Sequence, residues 1–181
     1  MFSINLLNDY NTKKILSINY FSFLVYMKYV DTQVVFEEIP DEITLCINIS
    51  NCQFHCPECH SKHLWDDIGD ELNEVSIDNL LSKNKGISCI CFMGHGGWSG
   101  WIEMKNYARY IKEKYKDIKV ALFSGNETLP LNELQDFDYI KTGPYKQECG
   151  PLNSPTTNQK MFKHVGEDKW EDITKYYQTK K

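Results

Sequence analysis

Three cysteines lie close together in the chain at a spacing that suits a metal centre. Cys52, Cys56 and Cys59 form the pattern CxxxCxxC within a single short segment. Gaps this short let one loop wrap three thiolates around a compact inorganic group, and thiolates are the ligands that iron–sulfur clusters select. A 4Fe-4S cube needs four ligands, so three cysteines leave one iron free. The spacing therefore predicts a 4Fe-4S cluster with one open iron.

A zinc site is the alternative for the same segment. His60 and His63 follow closely, and a set of three cysteines and one histidine would complete the tetrahedron that zinc prefers. Zinc motifs usually pair two ligands in one knuckle with two in a second. Here the next cysteines, Cys89 and Cys91, fall in an apolar strand pattern and are most simply core residues. The pattern favours the cluster over zinc.

Composition narrows the class of protein further. The chain has 181 residues, of which 41% are hydrophobic and 25% charged, as expected of one globular domain. Its net charge is −5 with basic residues spread along the chain, so we expect no nucleic-acid groove. Seven cysteines, an odd number, indicate a metal or redox site rather than a disulfide framework. We therefore expect a reducing, cytoplasmic compartment.

The first 26 residues differ from the rest. Lys13 and Lys14 precede an apolar stretch over 15–26, which is too short for the ~20 residues that a membrane span needs and lacks a small-residue cleavage site. Met27 follows directly. We interpret residues 1–26 as an extension outside the functional domain, which we place at 27–181, and we expect no membrane association.

Strand and helix patterns alternate through the domain. Apolar, β-branched runs predict strands, and apolar residues at helical spacing predict helices. The predicted strands cover 43–49, 88–93, 118–123 and 139–141, and the predicted helices cover 76–83 and 104–115. This alternation implies right-handed crossovers. We predict an α/β fold, a small, partial (β/α) barrel-like structure with a mostly parallel sheet and the cluster loop after the first core strand.

The predicted topology gathers three loops. The cysteine loop, the glycine-rich segment from Gly94 to Gly100 and the turn at Ser124-Gly125 each follow a strand. In parallel sheets, ligands bind beyond the carboxyl ends of the strands. We therefore expect these three loops to meet at one edge of the sheet.

The motifs resemble a known family. CxxxCxxC after the first strand is similar to the radical S-adenosylmethionine superfamily, in which the cofactor's amino and carboxylate groups chelate the free iron. The activating protein of anaerobic ribonucleoside-triphosphate reductase is resembled by the segment from Met27 to Pro40 and by the runs CPECHSKHLWDD at 56–67, CICFMG at 89–94 and GPYKQECGPLNSPTTNQKMF at 143–162. The resemblance covers most of residues 27–165. The SPTTNQ tail at 154–159 distinguishes this family from other activases.

The resemblance implies a pocket for S-adenosyl-L-methionine built from three loops. Residues 58–60 would lie against the cofactor, the glycine segment would receive its amino group, and the Ser-Gly turn would line its ribose. The residues carried over are Glu58, Cys59, His60, Gly94, Gly96, Gly97, Ser124 and Gly125. The sequence departs from the family at His95, which interrupts the glycine pair, and at Trp98, where the family has an acid.

The implied activity is that of a glycyl-radical enzyme activase. A reduced cluster would cleave S-adenosylmethionine to a 5′-deoxyadenosyl radical, which would abstract hydrogen from a glycine of the large subunit of anaerobic ribonucleotide reductase. A flavodoxin-like electron donor is expected by analogy. Two alternatives stay open: activation of another glycyl-radical enzyme of the formate acetyltransferase type, and a non-catalytic iron–sulfur binding protein.

Overall fold

A computed structural model describes residues 27–94 and 100–179. The interpretation of residues 1–26 as an extension falls outside these ranges. So do the cofactor roles predicted for Gly96 and Gly97, and the departures at His95 and Trp98.

The described residues form a mixed α/β structure around one eight-stranded sheet. The strand order across the sheet is β3-β1-β2-β4-β5-β6-β7-β8. The strands are β1 (Lys28–Val35), β2 (Thr44–Ile49), β3 (Asp70–Glu71), β4 (Cys89–Met93), β5 (Lys119–Phe123), β6 (Tyr139–Thr142), β7 (Lys160–His164) and β8 (Trp170–Asp172). Three helices accompany them: α1 (Glu74–Lys83), α2 (Trp101–Lys114) and α3 (Thr174–Thr179).

The sheet is parallel in its centre and antiparallel on both flanks. Strands β2, β4, β5 and β6 make three parallel pairings, whereas β1, β3, β7 and β8 add four antiparallel ones. The prediction of a mostly parallel sheet is therefore wrong, and so is the barrel-like closure, since β3 and β8 are the two edges of an open sheet. The flanking strands escaped prediction because their residues are mostly half-buried or exposed and lack a long apolar run.

Side chains alternate across the central strands and divide the core into two layers. On the face covered by α1 and α2, strand residues such as Ile47, Phe92 and Leu122 pack with Met104 and Ile111 of α2. The opposite layer contains the thiols of the strands with smaller or aromatic neighbours: Cys46, Cys89, Cys91, Ala121, Phe123, Tyr139 and Met161. The prediction that Cys89 and Cys91 are core residues is confirmed, and Cys46 is buried with them.

Helix α1 begins at Glu74, two residues before the start at 76 that the sequence predicts. Asn73 is the N-cap, its side chain accepting from the Ser76 N–H at 2.9 Å, while the Asn73 N–H donates to Ser76 Oγ at 2.8 Å. Such a reciprocal pair satisfies two N–H groups that a helix start leaves free. Ser76, the first residue of the predicted helix, is therefore the third residue of α1. None of the helices in the described ranges has the length and apolar character to cross a membrane.

Candidate functional site

The cysteine loop starts where β2 ends and is tied together at its base. The Asn51 N–H donates to the Asp66 carbonyl at 3.0 Å, and the Cys52 N–H donates to the Leu64 carbonyl at 2.8 Å. The Leu64 side chain is buried beneath the loop. Main-chain bonds and a buried anchor therefore fix both ends of the segment that contains the three thiols.

Local contacts also shape the interior of the loop. The Cys59 N–H donates to the Cys56 carbonyl at 2.9 Å, and the Ser61 N–H donates to Cys59 Sγ at 3.3 Å. His55 adopts a φ of 42°, which turns the chain between the first two thiols, and its ring stacks on Trp65 with a centroid separation of 4.8 Å. The Ser61 N–H thereby ties the third thiol to the residues that follow it.

All three thiols border one cavity of about 180 Å³ at the carboxyl ends of the parallel strands. Each of β2, β4, β5 and β6 contributes wall residues from its end or from the loop that follows, and Gln159 adds to the wall from the position directly before β7. The main wall residues outside the cysteine loop are Asn48, Met93, Gly94, Phe123, Ser124, Gly125, Lys141, Gly143, Pro144 and Tyr145.

The predicted cofactor residues divide into two groups. Gly94, Ser124 and Gly125 line the cavity together with the thiols, as the predicted topology requires. Glu58 and His60 do not line it. His60 lies at its rim, with its ring centroid 5.3 Å from that of Tyr145, which does line it.

Two glycines in the wall allow close approaches that no other residue permits. Gly94 has a φ of 94°, and a Cβ there would come within 2.5 Å of the Ile49 carbonyl oxygen and 2.9 Å of Leu64 Cδ1. At Gly125 a Cβ would meet the ring of Phe54 at 2.7 Å. These contacts hold the cysteine loop against the loops after β4 and β5.

Burial raises the pKa of the Cys52 thiol, and the neighbouring Cys59 and Cys56 thiols raise it further. Backbone N–H groups of Phe54 and His55 act in the opposite direction without reversing the shift. Three thiolates crowded into one partly desolvated space repel one another, so a positively charged centre among them would favour their ionised form.

Lys141 is a wall residue that the sequence motifs do not identify. It lies in β6, its Nζ is 4.6 Å from the centre of the Phe123 ring, and burial lowers the pKa of its ammonium group. No carboxylate of the described residues lies within ion-pair distance of it. The sequence did contain a signal for Lys141, which is a lysine within the otherwise buried run YIKT. Burying a cation without a partner is costly, so a lysine at such a position indicates a functional role.

Other cavity residues were also missed. Phe54, Tyr145 and Gln159 each contribute to the wall. Phe54 is within the cysteine motif, but nothing in the spacing shows which intervening residue faces inward.

Within 27–94 and 100–179, no group of three or more His, Cys, Asp or Glu side chains is arranged to hold a metal ion.

Comparison with known proteins adds little to this geometry. No family model matches the chain, and no solved structure matches it. Terrelysin of Aspergillus terreus is 30% identical over 105 residues, which are 55% of this chain and 64% of terrelysin. The chain thus spans less than two thirds of that protein's length. The fold and site describe a mixed α/β protein with a cysteine-lined cavity.

Proposed function

We propose that the protein is a radical S-adenosylmethionine enzyme that activates anaerobic ribonucleoside-triphosphate reductase. One observation carries the proposal: the three thiols of CxxxCxxC share a single cavity with Gly94, Ser124 and Gly125. The family resemblance had assigned these three residues to the cofactor before their positions in the fold were considered. Their meeting with the thiols is what a combined cluster and cofactor site requires.

The thiols suit a cluster of several irons. Cys52, Cys56 and Cys59 would be its ligands. A cube presents a separate iron to each thiolate, so its ligands need to face one cavity rather than converge on one ion. When bound, the cluster supplies the electron that cleaves S-adenosylmethionine and yields the 5′-deoxyadenosyl radical.

The polar wall residues offer partners for the different parts of S-adenosylmethionine. The Lys141 ammonium would attract the carboxylate of the methionyl group. Ser124 Oγ accepts from the Asn126 N–H at 3.2 Å and from Asn126 Nδ2 at 3.1 Å, and so keeps its own O–H for a ribose oxygen. Gly94 lets the ligand approach the backbone closely.

The remaining wall is suited to protecting a reactive intermediate. Phe54, Leu64, Met93, Phe123 and Pro144 give the cavity a mostly apolar surface. Apolar walls exclude water and limit side reactions once the partner covers the opening. The target glycine would come from the large reductase subunit, the electron from a flavodoxin-like donor, and the compartment would be the cytoplasm.

The decisive experiment is anaerobic reconstitution followed by reduction. We expect about four irons and four sulfides per chain, and release of 5′-deoxyadenosine from S-adenosylmethionine on reduction. Cys56→Ala should abolish both, whereas Cys149→Ala, which changes a half-buried thiol outside the cavity, should abolish neither. Colourless, zinc-containing protein, or cluster-loaded protein that never cleaves S-adenosylmethionine even with its partner, would refute the proposal.

A non-catalytic iron–sulfur protein is the second candidate. It is favoured by one observation, that Glu58 and His60 do not line the cavity in which the cofactor would bind. Binding of S-adenosylmethionine to the reconstituted protein, measured by equilibrium dialysis, separates the two candidates. Co-purification from an anaerobic lysate distinguishes ribonucleotide reductase from an enzyme of the formate acetyltransferase type.

A further inference from the structure

Two adjacent side chains at the end of the SPTTNQ tail hold the turn after β6. Asn158 Nδ2 donates to the Pro144 carbonyl at 2.9 Å, and Gln159 Nε2 donates to the Gly143 carbonyl at 3.2 Å. Gln159 is buried, with 6% of its surface exposed. Two consecutive carbonyls of the turn are thus bound by two consecutive amide side chains.

The backbone of this turn fits closely against the tail. Gly143 has a φ of 98°, and a Cβ there would lie 3.1 Å from the Asn158 carbonyl oxygen. The Gly143 N–H also donates to the Asn126 carbonyl at 2.6 Å, which joins the turn to the loop after β5. The turn therefore has bonds on both sides, two to the tail and one to the loop that contains Ser124.

The turn contributes three consecutive residues to the cavity wall. Gly143, Pro144 and Tyr145 all line it, and the Tyr145 ring meets that of His60, next to the third cysteine. Asn158 itself does not line the cavity. Any effect of Asn158 on a ligand must therefore pass through the turn.

We infer that Asn158 is a positioning residue that, together with Gln159, fixes the Gly143–Tyr145 turn as a preformed wall of the S-adenosylmethionine site. The identity of the ligand rests on the proposed function, but the restraint on the turn does not. The inference also gives the SPTTNQ tail a physical role, since its last two residues are the ones that hold the wall. A preformed wall lowers the ordering cost of binding.

The restraint is tested without any ligand, by hydrogen exchange with mass spectrometry on the full-length, metal-free protein. Asn158→Leu removes the amide donor at similar volume. It should accelerate exchange in a peptide covering 142–147 about fivefold, the effect of one lost hydrogen bond. Gln178→Leu is the matched control, because Gln178 Nε2 donates to the Ser154 carbonyl at 3.0 Å in the same tail but away from the turn. It should leave 142–147 unchanged.

The consequence for the ligand is tested on the reconstituted protein. Asn158→Leu should weaken S-adenosylmethionine binding about fivefold to tenfold in equilibrium dialysis, with unchanged iron content and, at saturating cofactor, little change in turnover. Gln178→Leu should bind like the unmodified protein. If Asn158→Leu does not fold, Asn158→Asp takes its place, having the same shape without the donor.

The outcomes separate the two proposals. Unchanged exchange in 142–147 for the Asn158 variant, or equal acceleration by Gln178→Leu, overturns the inference whatever the protein binds. Faster exchange with unaltered S-adenosylmethionine affinity overturns the role of the turn as a wall of the ligand site. Failure of the unmodified, reconstituted protein to bind S-adenosylmethionine at all refutes the proposed function instead, and leaves the exchange result as a separate test of the restraint.

Discussion

Two sets of three cysteines lie in opposite environments of this protein. Cys52, Cys56 and Cys59 are half-buried on a loop and border a cavity. The strand cysteines Cys46, Cys89 and Cys91 are buried in the layer behind the sheet. The position of a thiol relative to the end of a strand therefore decides whether it can reach a ligand. A thiol beyond the strand end can reach a ligand, and one within the strand packs.

Burial also keeps two of the strand thiols in their neutral form. Burial raises the pKa of Cys89 far above its ordinary value, and nearby Glu42 and Asp138 raise it further. Burial likewise raises the pKa of Cys91, with Cys46 adding to the effect. Both thiols are therefore neutral at any physiological pH and behave as small apolar side chains. The loop thiols face a space where a cationic centre can stabilise their ionised form.

The largest difference expected between the two sets of cysteines is in iron binding by single variants. Cys52→Ala, Cys56→Ala and Cys59→Ala should each reduce reconstituted iron to background, because each removes one of the three ligands that we propose for the cluster. Cys91→Ala, a change of similar size in the strand set, should retain full iron content. Iron and acid-labile sulfide assays decide it, and iron loss in Cys91→Ala equal to that in the loop variants would contradict the division.

Chemical labelling of the folded, metal-free protein gives the next largest difference. Iodoacetamide should modify Cys52 faster as pH rises from 7 to 9, since the thiolate is the reacting form and burial raises the pKa of this thiol. Cys89 and Cys91 should react about a thousandfold more slowly or not at all, because their raised pKa keeps them neutral and burial requires an opening before reaction. Peptide mass mapping measures both sets in one sample, and denaturant should equalise them.

The two sets of cysteines should also differ in how much a buried hydroxyl changes the free energy of unfolding. Cys91→Ser buries a hydroxyl among apolar neighbours and should lower the free energy of unfolding by about 1–3 kcal/mol. Cys56→Ser in the metal-free protein should change it by less than about 0.5 kcal/mol, because that side chain is half-exposed. Urea unfolding followed by circular dichroism measures both. Similar losses would mean that the loop is packed as tightly as the strand.

The smallest expected effect concerns Lys141, which lies between the two sets. Its ammonium lines the cavity and also interacts electrostatically with Cys91. Lys141→Met keeps the length and removes the charge, and should weaken S-adenosylmethionine binding about fivefold to tenfold while iron content stays full. Lys112→Met, which removes a partly exposed lysine paired with Asp138, is the control and should leave binding unchanged. Equal affinity in both variants would remove Lys141 from the site.

Much of the centre of the fold was predictable from the sequence. The four parallel strands are short apolar runs, and such runs identify buried strands because both faces are covered. The flanking strands were not predictable, since β3 has two exposed residues and β1 is largely half-buried. The two residues of β3 pair with Lys28 and Tyr29 at the start of β1, which are distant in sequence. Those flanks make four of the seven pairings antiparallel.

The site was predictable to the extent that it consists of residues directly after strands. Cys52, Gly94 and Ser124 follow three parallel strands and meet as expected. Lys141 was missed because it lies inside a strand. Gln159 was missed because it lies directly before β7, an antiparallel strand. Periodicity indicates which face a residue occupies, but it does not show that the face opens onto a cavity.

The closed base of the cysteine loop has a consequence for how the protein would be loaded and repaired. Main-chain bonds from Asn51 and Cys52 join the two ends of the loop through protein groups alone. In small zinc domains, by contrast, metal binding and folding are one event. Here the base of the loop is closed by the chain itself. The cluster that we propose would therefore enter a loop whose ends are already joined, and a chain that lost it to oxygen would keep those bonds for reloading.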